Sequence, residues 1–197
     1  IVNNGSCEDV VRFLNQLLQE GKIHEVIHTT NIGKVNAILK GIVGHDIELV
    51  TVTDADVLFL PNWQSETIKV FRTIPQAGVV GIVPQFCGFK GKSENTLLAN
   101  LFSKILKFLP VHNKEALIHF YDSIGWDRNY NQDYLAYNLA VEINSELNVL
   151  IGSGHFVATY KKDIFETIIT YIGYKMGGNS EGYLDSLPLE KDYWRVT

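Results

Sequence analysis

Apolar positions along the chain recur with two alternating periods. Val10, Phe13, Leu14, Leu17 and Leu18 fall on one helical stripe, preceded by a short apolar run and the turn "NNGS". Ser6 and Asp9 have the three-residue spacing of a capping box at the start of that helix, and Gly21 marks its end. "IHEVIH" (23–28) is β-branched and alternating, which predicts a strand. Val35, Ile38, Leu39 and Ile42 return to helical spacing, and "IELVTVT" (47–53) has the continuous apolar character of a strand buried on both faces. Asn62 stands where it caps a helix over 63–74, and "AGVVGIVPQF" (77–86) supplies another strand. This alternation predicts an α/β fold with a doubly wound, mostly parallel sheet, whose ligands bind beyond the carboxyl ends of the strands.

The rhythm breaks over 94–125. "SENTLLANLFSKILKFLP" and "NKEALIHFYDSIG" predict two consecutive amphipathic helices split by Pro110. "YLAYNLAVEIN" and "NVLIGSGHFVATY" then predict strands, "KKDIFETIITYIG" a helix, and the chain from Lys175 an irregular polar and aromatic tail. Repeats, low-complexity tracts and linkers are absent from the sequence, so the expectation is one domain over 1–197. Its parts are an alternating strand–helix half (about 1–90), a helical insertion (about 94–125) and a second half (about 126–197).

Composition narrows this picture. Across 197 residues, 46% apolar character is enough for a sizeable core. A net charge of −5 argues against nucleic acid as the main partner. No apolar run reaches the length of a membrane span, which requires about 18 residues or more. Cys7 and Cys87 lack metal-ligand spacing, which suits free thiols in a reducing, cytoplasmic compartment. The chain begins at Ile1 with residues that already read as a strand, so the expectation is that further sequence precedes it.

Three constellations carry candidate chemistry. Asp54 and Asp56, one residue apart after a buried strand, can share a hard divalent cation, Mg²⁺ or Mn²⁺, which takes one or two carboxylates and fills its shell with water and phosphate oxygens. The bland alternative is a capping Asp54 and a solvated Asp56. Asn3, Asn4, Gly5 and Ser6 form a turn before a helix start that can meet a base, a ribose or a phosphate, or serve as an ordinary βα turn. In "TTNIGKVNA" (29–37), Lys34 opens a helix facing the same edge, where it can meet a diphosphate with Asn31 and Asn36 beside it. Otherwise, Asn31 is a cap and Lys34 a surface charge.

Taken in order, "IVNNGSCEDVVRFL", "NIGKVNAILKGI", "IELVTVTDADV" and "GSGHFVATYKKDIFE" followed by "GG" resemble glycosyltransferase family 2. The likeness covers roughly 1–90 and 148–178, and it lies in four motifs in order rather than in any one. It implies a GT-A (Rossmann-like) fold lacking its first strand here, and transfer of a sugar with inversion from a nucleoside-diphosphate sugar to a hydroxyl of a saccharide or lipid-linked acceptor. It also implies a divalent metal at Asp56 with Asp54 nearby on metal or ribose, and nucleoside contacts near Asn3 and Asn4. Polysaccharide biosynthesis, at the inner face of a membrane, is the setting that the family implies. An acidic pair usual after the glycines is missing; Glu181, Asp185, Glu190 and Asp192 compete for the role of base, with Asp185, Glu190 and Asp192 the chosen candidates.

Other features have weaker readings. His155, in "GSGHF", is a candidate for an acceptor hydroxyl, whereas His24, His28 and His45 have no ligand spacing. "CGFKGKS" lacks the first glycine of a phosphate-binding P-loop. Trp126, Tyr130, Tyr134 and Tyr137 suit sugar stacking, a lid or a packed insertion. The apolar stripe Leu97, Leu98, Leu101, Phe102 and Ile105 suits core packing, an acceptor cover, a homodimer contact or peripheral membrane contact. Two further function classes also fit: a receiver-like module with a phosphoacceptor aspartate, and a nucleotide-sugar binder without turnover.

Overall fold

The structure is a computed structural model and describes residues 1–84, 88–175 and 178–197. Its strands are β1 (Val2–Asn4), β2 (Ile27–Thr29), β3 (Leu49–Thr53), β4 (Ala77–Gly81), β5 (Leu106–Pro110), β6 (Tyr137–Asn144), β7 (Leu147–Leu150), β8 (Val157–Lys161) and β9 (Trp194–Val196). The α-helices are α1 (Glu8–Gln19), α2 (Lys34–Ile42), α3 (Trp63–Thr73), α4 (Glu94–Asn100), α5 (Lys114–Ser123), α6 (Gln132–Ala136) and α7 (Gly178–Glu190).

Strand and helix alternate through β4 as the periodicity predicts. The sheets, however, are mixed. A four-stranded sheet has the order β3-β8-β4-β9, flanked by a β1-β2 pair and a β5-β6-β7 sheet. Of the six strand pairings among the described residues, four are antiparallel, so "mostly parallel" does not describe them. Two of the four come from β8, which inserts between β3 and β4 and runs against both, and the other two make up the β5-β6-β7 sheet.

Both faces of the four-stranded sheet are covered. On one, Val52, Val79 and Tyr160 pack with Val35 and Ile42 of α2 and with Leu184 and Leu187 of α7. On the other, Val80 and Val196 pack with Val70 and Ile74 from the α3 side and with Leu139, Val141 and Val149 of the antiparallel sheet. Burying side chains of this size contributes about 1.5–3 kcal/mol each, which fixes the sheet as the platform for whatever lies at its ends.

Several elements differ from the sequence reading. β2 occupies only the end of the expected 23–28 strand. α1 is capped at Cys7 without a side-chain hydrogen bond, so the Ser6–Asp9 box is not formed. Asn62 does cap α3, but from a left-handed backbone (φ 69°) and without a side-chain bond. The predicted helix through Pro110 stops at Asn100, because 106–110 pairs residue for residue with β6 as strand β5. The start of the predicted strand at 134–144 is instead the short helix α6. After β8, only a 3-10 turn (Lys162–Thr167) forms. Its continuation, "IITYI", is β-branched, and buried Asn36 captures it by exchanging hydrogen bonds with the Ile172 backbone at 2.7 and 3.0 Å. The supposedly irregular tail holds α7 and β9. Ser180, Leu184 and Leu187, at 1%, 0% and 0% exposure, form the buried stripe of α7, while Pro188 in its last turn hides the helix from pattern reading. The end of the predicted 77–86 strand, Cys87 and Gly177 of the "GG" motif lie outside the described residues.

Candidate active site at the carboxyl ends of the sheet

Register brings the candidate residues to one edge. Thr53 at the end of β3 pairs with Val157 at the start of β8, and the Asp54 N–H then donates to the Phe156 carbonyl at 2.9 Å. Asp54 and His155 are thereby neighbours across the strand ends. Gly81, at the end of β4, lies against Ser153 and Thr197, so the loop carrying His155 crosses the same edge.

The acid pair has two environments. Asp54 is half-buried and accepts a 2.7 Å hydrogen bond from Lys34 Nζ, so the lysine expected at this edge meets the first carboxylate of the pair directly. Lys34 is placed by Gly33, whose φ of +85° and close approach to the Tyr174 carbonyl leave no room for a Cβ. Asp56 is exposed, two residues on, with no hydrogen bond or ion pair to the described residues. Among the described residues, no three His, Cys, Asp or Glu side chains converge as a ready-made cage. An exposed hard-oxygen donor beside a second carboxylate nevertheless fits a dication that shares its shell with a diphosphate.

The asparagine turn is built by its own side chains. Asn3, 4% exposed, accepts from the Ser6 N–H and bonds His28 Nδ1, while Asn4 Oδ1 accepts from the Ile32 N–H. Gly5 (φ +90°) touches the Asn31 backbone, where any Cβ would be 2.8 Å from the Asn31 nitrogen. Asn31 Oδ1 in turn accepts from the Gly33 N–H at 3.1 Å. The first motif is thus clasped directly to the second and sets the entry of α2. His28, bonded also to Asn15, is a structural histidine.

A second charged cluster faces the Lys34–Asp54 pair. Glu181 and Asp185, one turn apart on α7, approach the two ring nitrogens of His155 at 3.4 Å each. Asp185 raises the His155 pKa by hydrogen bonding; burial opposes this, the charges of Asp185 and Glu181 reinforce it, and Lys34 lies near enough to push back. Asp185 Oδ1 also accepts from Arg195 Nη2 at 2.6 Å. Arg195, 3% exposed, donates in addition to the Ser153 and Gly91 carbonyls.

Of the chosen base candidates Asp185, Glu190 and Asp192, Asp185 alone belongs to this gathering; Glu181, the fourth competing acid, joins it there. Asp192 precedes β9, whose first residue pairs with the first residue of β4, so it stands at the opposite edge of the sheet. There it accepts from Asn95 at 3.3 Å. Glu190 ends α7 on the same far side and is exposed. Arg195 escaped the sequence reading because one arginine in a polar tail carries no pattern. The i,i+4 spacing of Glu181 and Asp185 was the available signal, once α7 is known to be a helix.

The profile of the family "Glycosyl transferase family 2" matches residues 1–167. The chain belongs to that family and is a glycosyltransferase, a class that works with a nucleotide-sugar donor and an acceptor. Neither the curated proteins nor the solved structures offer a match to it. α7 and β9, which bring Glu181, Asp185 and Arg195, follow the matched span. No helix among the described residues is long and apolar enough to cross a membrane.

Proposed function

We propose that the chain is an inverting, metal-dependent transferase that moves a sugar from a nucleoside-diphosphate donor to a hydroxyl of a saccharide or lipid-linked acceptor. The observation that carries this reading is the meeting of Lys34, Asp54, Asp56, His155 and Asp185 at the carboxyl edge of one sheet, beside the Asn3–Ser6 turn. Asp56, with Asp54 beside it, would hold Mn²⁺ or Mg²⁺, which supplies charge neutralisation for the leaving diphosphate. Lys34 adds a second positive charge there, released from Asp54 when phosphate oxygens arrive. Backbone and amide groups of Asn3, Asn4, Gly5, Ser6 and Asn31 border the nucleoside end.

Across the edge, Asp185 is the base. Arg195 anchors Oδ1, and among the described residues Oδ2 makes only the long contact to His155 that an acceptor hydroxyl can replace. The acceptor oxygen attacks the anomeric carbon from the face opposite the diphosphate. Its C–O bond forms as the bond to the leaving phosphate oxygen breaks, and the hydroxyl proton passes to Asp185. His155 donates to the acceptor or to Asp185. Exposed Cys7 and the family's donor chemistry support a cytoplasmic setting, with polysaccharide assembly at the inner membrane face as the process served.

Turnover separates this reading from an inert nucleotide-sugar binder. With a panel of nucleotide sugars and Mn²⁺, wild type releases nucleoside diphosphate, and Asp185→Asn lowers kcat by roughly 10²–10⁴-fold. Glu190→Gln and Asp192→Asn stay within about threefold of wild type, on the same proton-transfer scale. If either of these loses turnover while Asp185→Asn retains it, the base is misassigned. If wild type binds donor and never turns it over, the inert reading stands.

A further inference from the structure

The aromatic segment 126–137 divides into two parts. Trp126 and Tyr130 lie against each other, tilted, at 4.6 Å and meet buried Tyr121 edge-on at 5.6 and 6.3 Å, so these rings form a cluster of their own. Tyr134 and Tyr137 instead line an open cavity of about 470 Å³ with Phe89, Phe108 and Asp133. Phe108, in the middle of β5, and Tyr137, at the start of β6, are 67% and 55% exposed and are diagonal neighbours on the paired strands. Lys90 Nζ sits 4.8 Å from the centroid of the Tyr134 ring and helps to fix that wall.

We propose that this cavity is a saccharide-binding subsite, which holds the acceptor glycan beyond the reacting sugar. Its lining has the chemistry for the task. Aromatic faces carry negative charge density that attracts the polarised C–H face of a pyranose, and the Asp133 carboxylate accepts from adjacent ring hydroxyls. Its size lies in the range of small-molecule sites. Among the described residues its lining is aromatic and acidic, which favours sugar rings over an acyl chain.

Its position joins it to the catalytic edge. Gly88 presses against Gly152, where an added Cβ would be 2.2 Å from the Gly88 carbonyl oxygen, so the backbone beside Phe89 touches the loop leading to His155. Gly152 and His155 are three positions apart, a span of at most about 11 Å. Arg195 fastens both segments, through the Gly91 and Ser153 carbonyls, and carries Asp185 on the same guanidinium. A glycan seated on the aromatic residues therefore extends toward Asp185.

The subsite deepens the transferase reading and rests on it for its role, but its test uses different ligands and variants. Maltotriose, cellotriose and chitotriose are titrated into the full chain without donor, followed by saturation-transfer NMR. At least one is expected to bind, with saturation arriving through aromatic protons. Phe108→Ala and Tyr137→Ala each weaken that binding about tenfold. Asp133→Asn weakens it less, while Phe102→Ala, on an exposed side chain outside the cavity, leaves it unchanged. Circular dichroism shows each variant folded. Binding of none of the three, or binding indifferent to Phe108 and Tyr137, overturns the proposal. A parallel titration with UDP and Mn²⁺ reports on the donor side alone, so either reading can fail while the other stands.

Discussion

Two ion pairs at the same sheet edge have nearly the same length and opposite surroundings. Lys34–Asp54 spans 2.7 Å with side chains 26% and 43% exposed, whereas Arg195–Asp185 spans 2.6 Å with 4% and 21%. An exposed pair is worth about 0–1 kcal/mol, so water or a phosphate can displace it at little cost. A buried pair is different: removing one partner strands a desolvated charge, at about 3–5 kcal/mol. Solvent thus divides the labour. The first pair is exchangeable and suits a place where an anionic ligand must enter. The second is a rivet that holds β9, α7 and the Ser153 loop in one geometry and keeps Asp185 aimed.

The sharpest way to break that contrast is to remove the rivet. Arg195→Met leaves Asp185 and the Ser153 and Gly91 carbonyls without their donor, and is expected to lower unfolding free energy by about 3 kcal/mol in urea melts. A loss below about 1 kcal/mol would place Arg195 among ordinary surface charges.

A smaller effect concerns pH. His155 has its pKa raised chiefly by its hydrogen bond to Asp185, so the folded state holds this proton more tightly than the unfolded chain. The resulting stability is fully present below the ordinary histidine value near 6.5, and is lost as pH rises through the raised folded value. Thermal midpoints measured from about pH 6 to pH 9 should fall with this slope, and His155→Gln should flatten it. An unchanged slope would show that His155 does not carry the linkage.

The smallest expected change is in the exposed pair. Lys34→Met should alter stability by less than about 1 kcal/mol, while weakening nucleoside-diphosphate binding. A large loss of stability would make it a second rivet and erase the distinction.

Parts of this arrangement were legible along the chain. The Val35–Ile42 stripe, the apolar run before Asp54 and the turn at Gly33 are local patterns, and α2 and β3 stand where they predict. Lys34 and Asp54 were each expected at one edge, and the structure pairs them. β5 was hidden because the helical stripe Leu97, Leu98, Leu101, Phe102 and Ile105 leads straight into "LKFLP", and only pairing with β6 decides otherwise. The mixed sheet was hidden because strand direction depends on where β8 inserts, which no local period encodes. Asp185 was legible as a loop acid beside aromatic residues; that it sits on a helix, clamped by Arg195 against His155, follows from long-range contacts alone.

The account turns on Asp56 and a dication receiving a diphosphate at the end of β3. Isothermal titration of UDP or ADP into the chain, with and without Mn²⁺ and then with Asp56→Ala, addresses this directly. The expected result is binding that requires Mn²⁺ and is lost in the variant. Equal binding without metal, or full Mn²⁺-dependent affinity in Asp56→Ala, would contradict it.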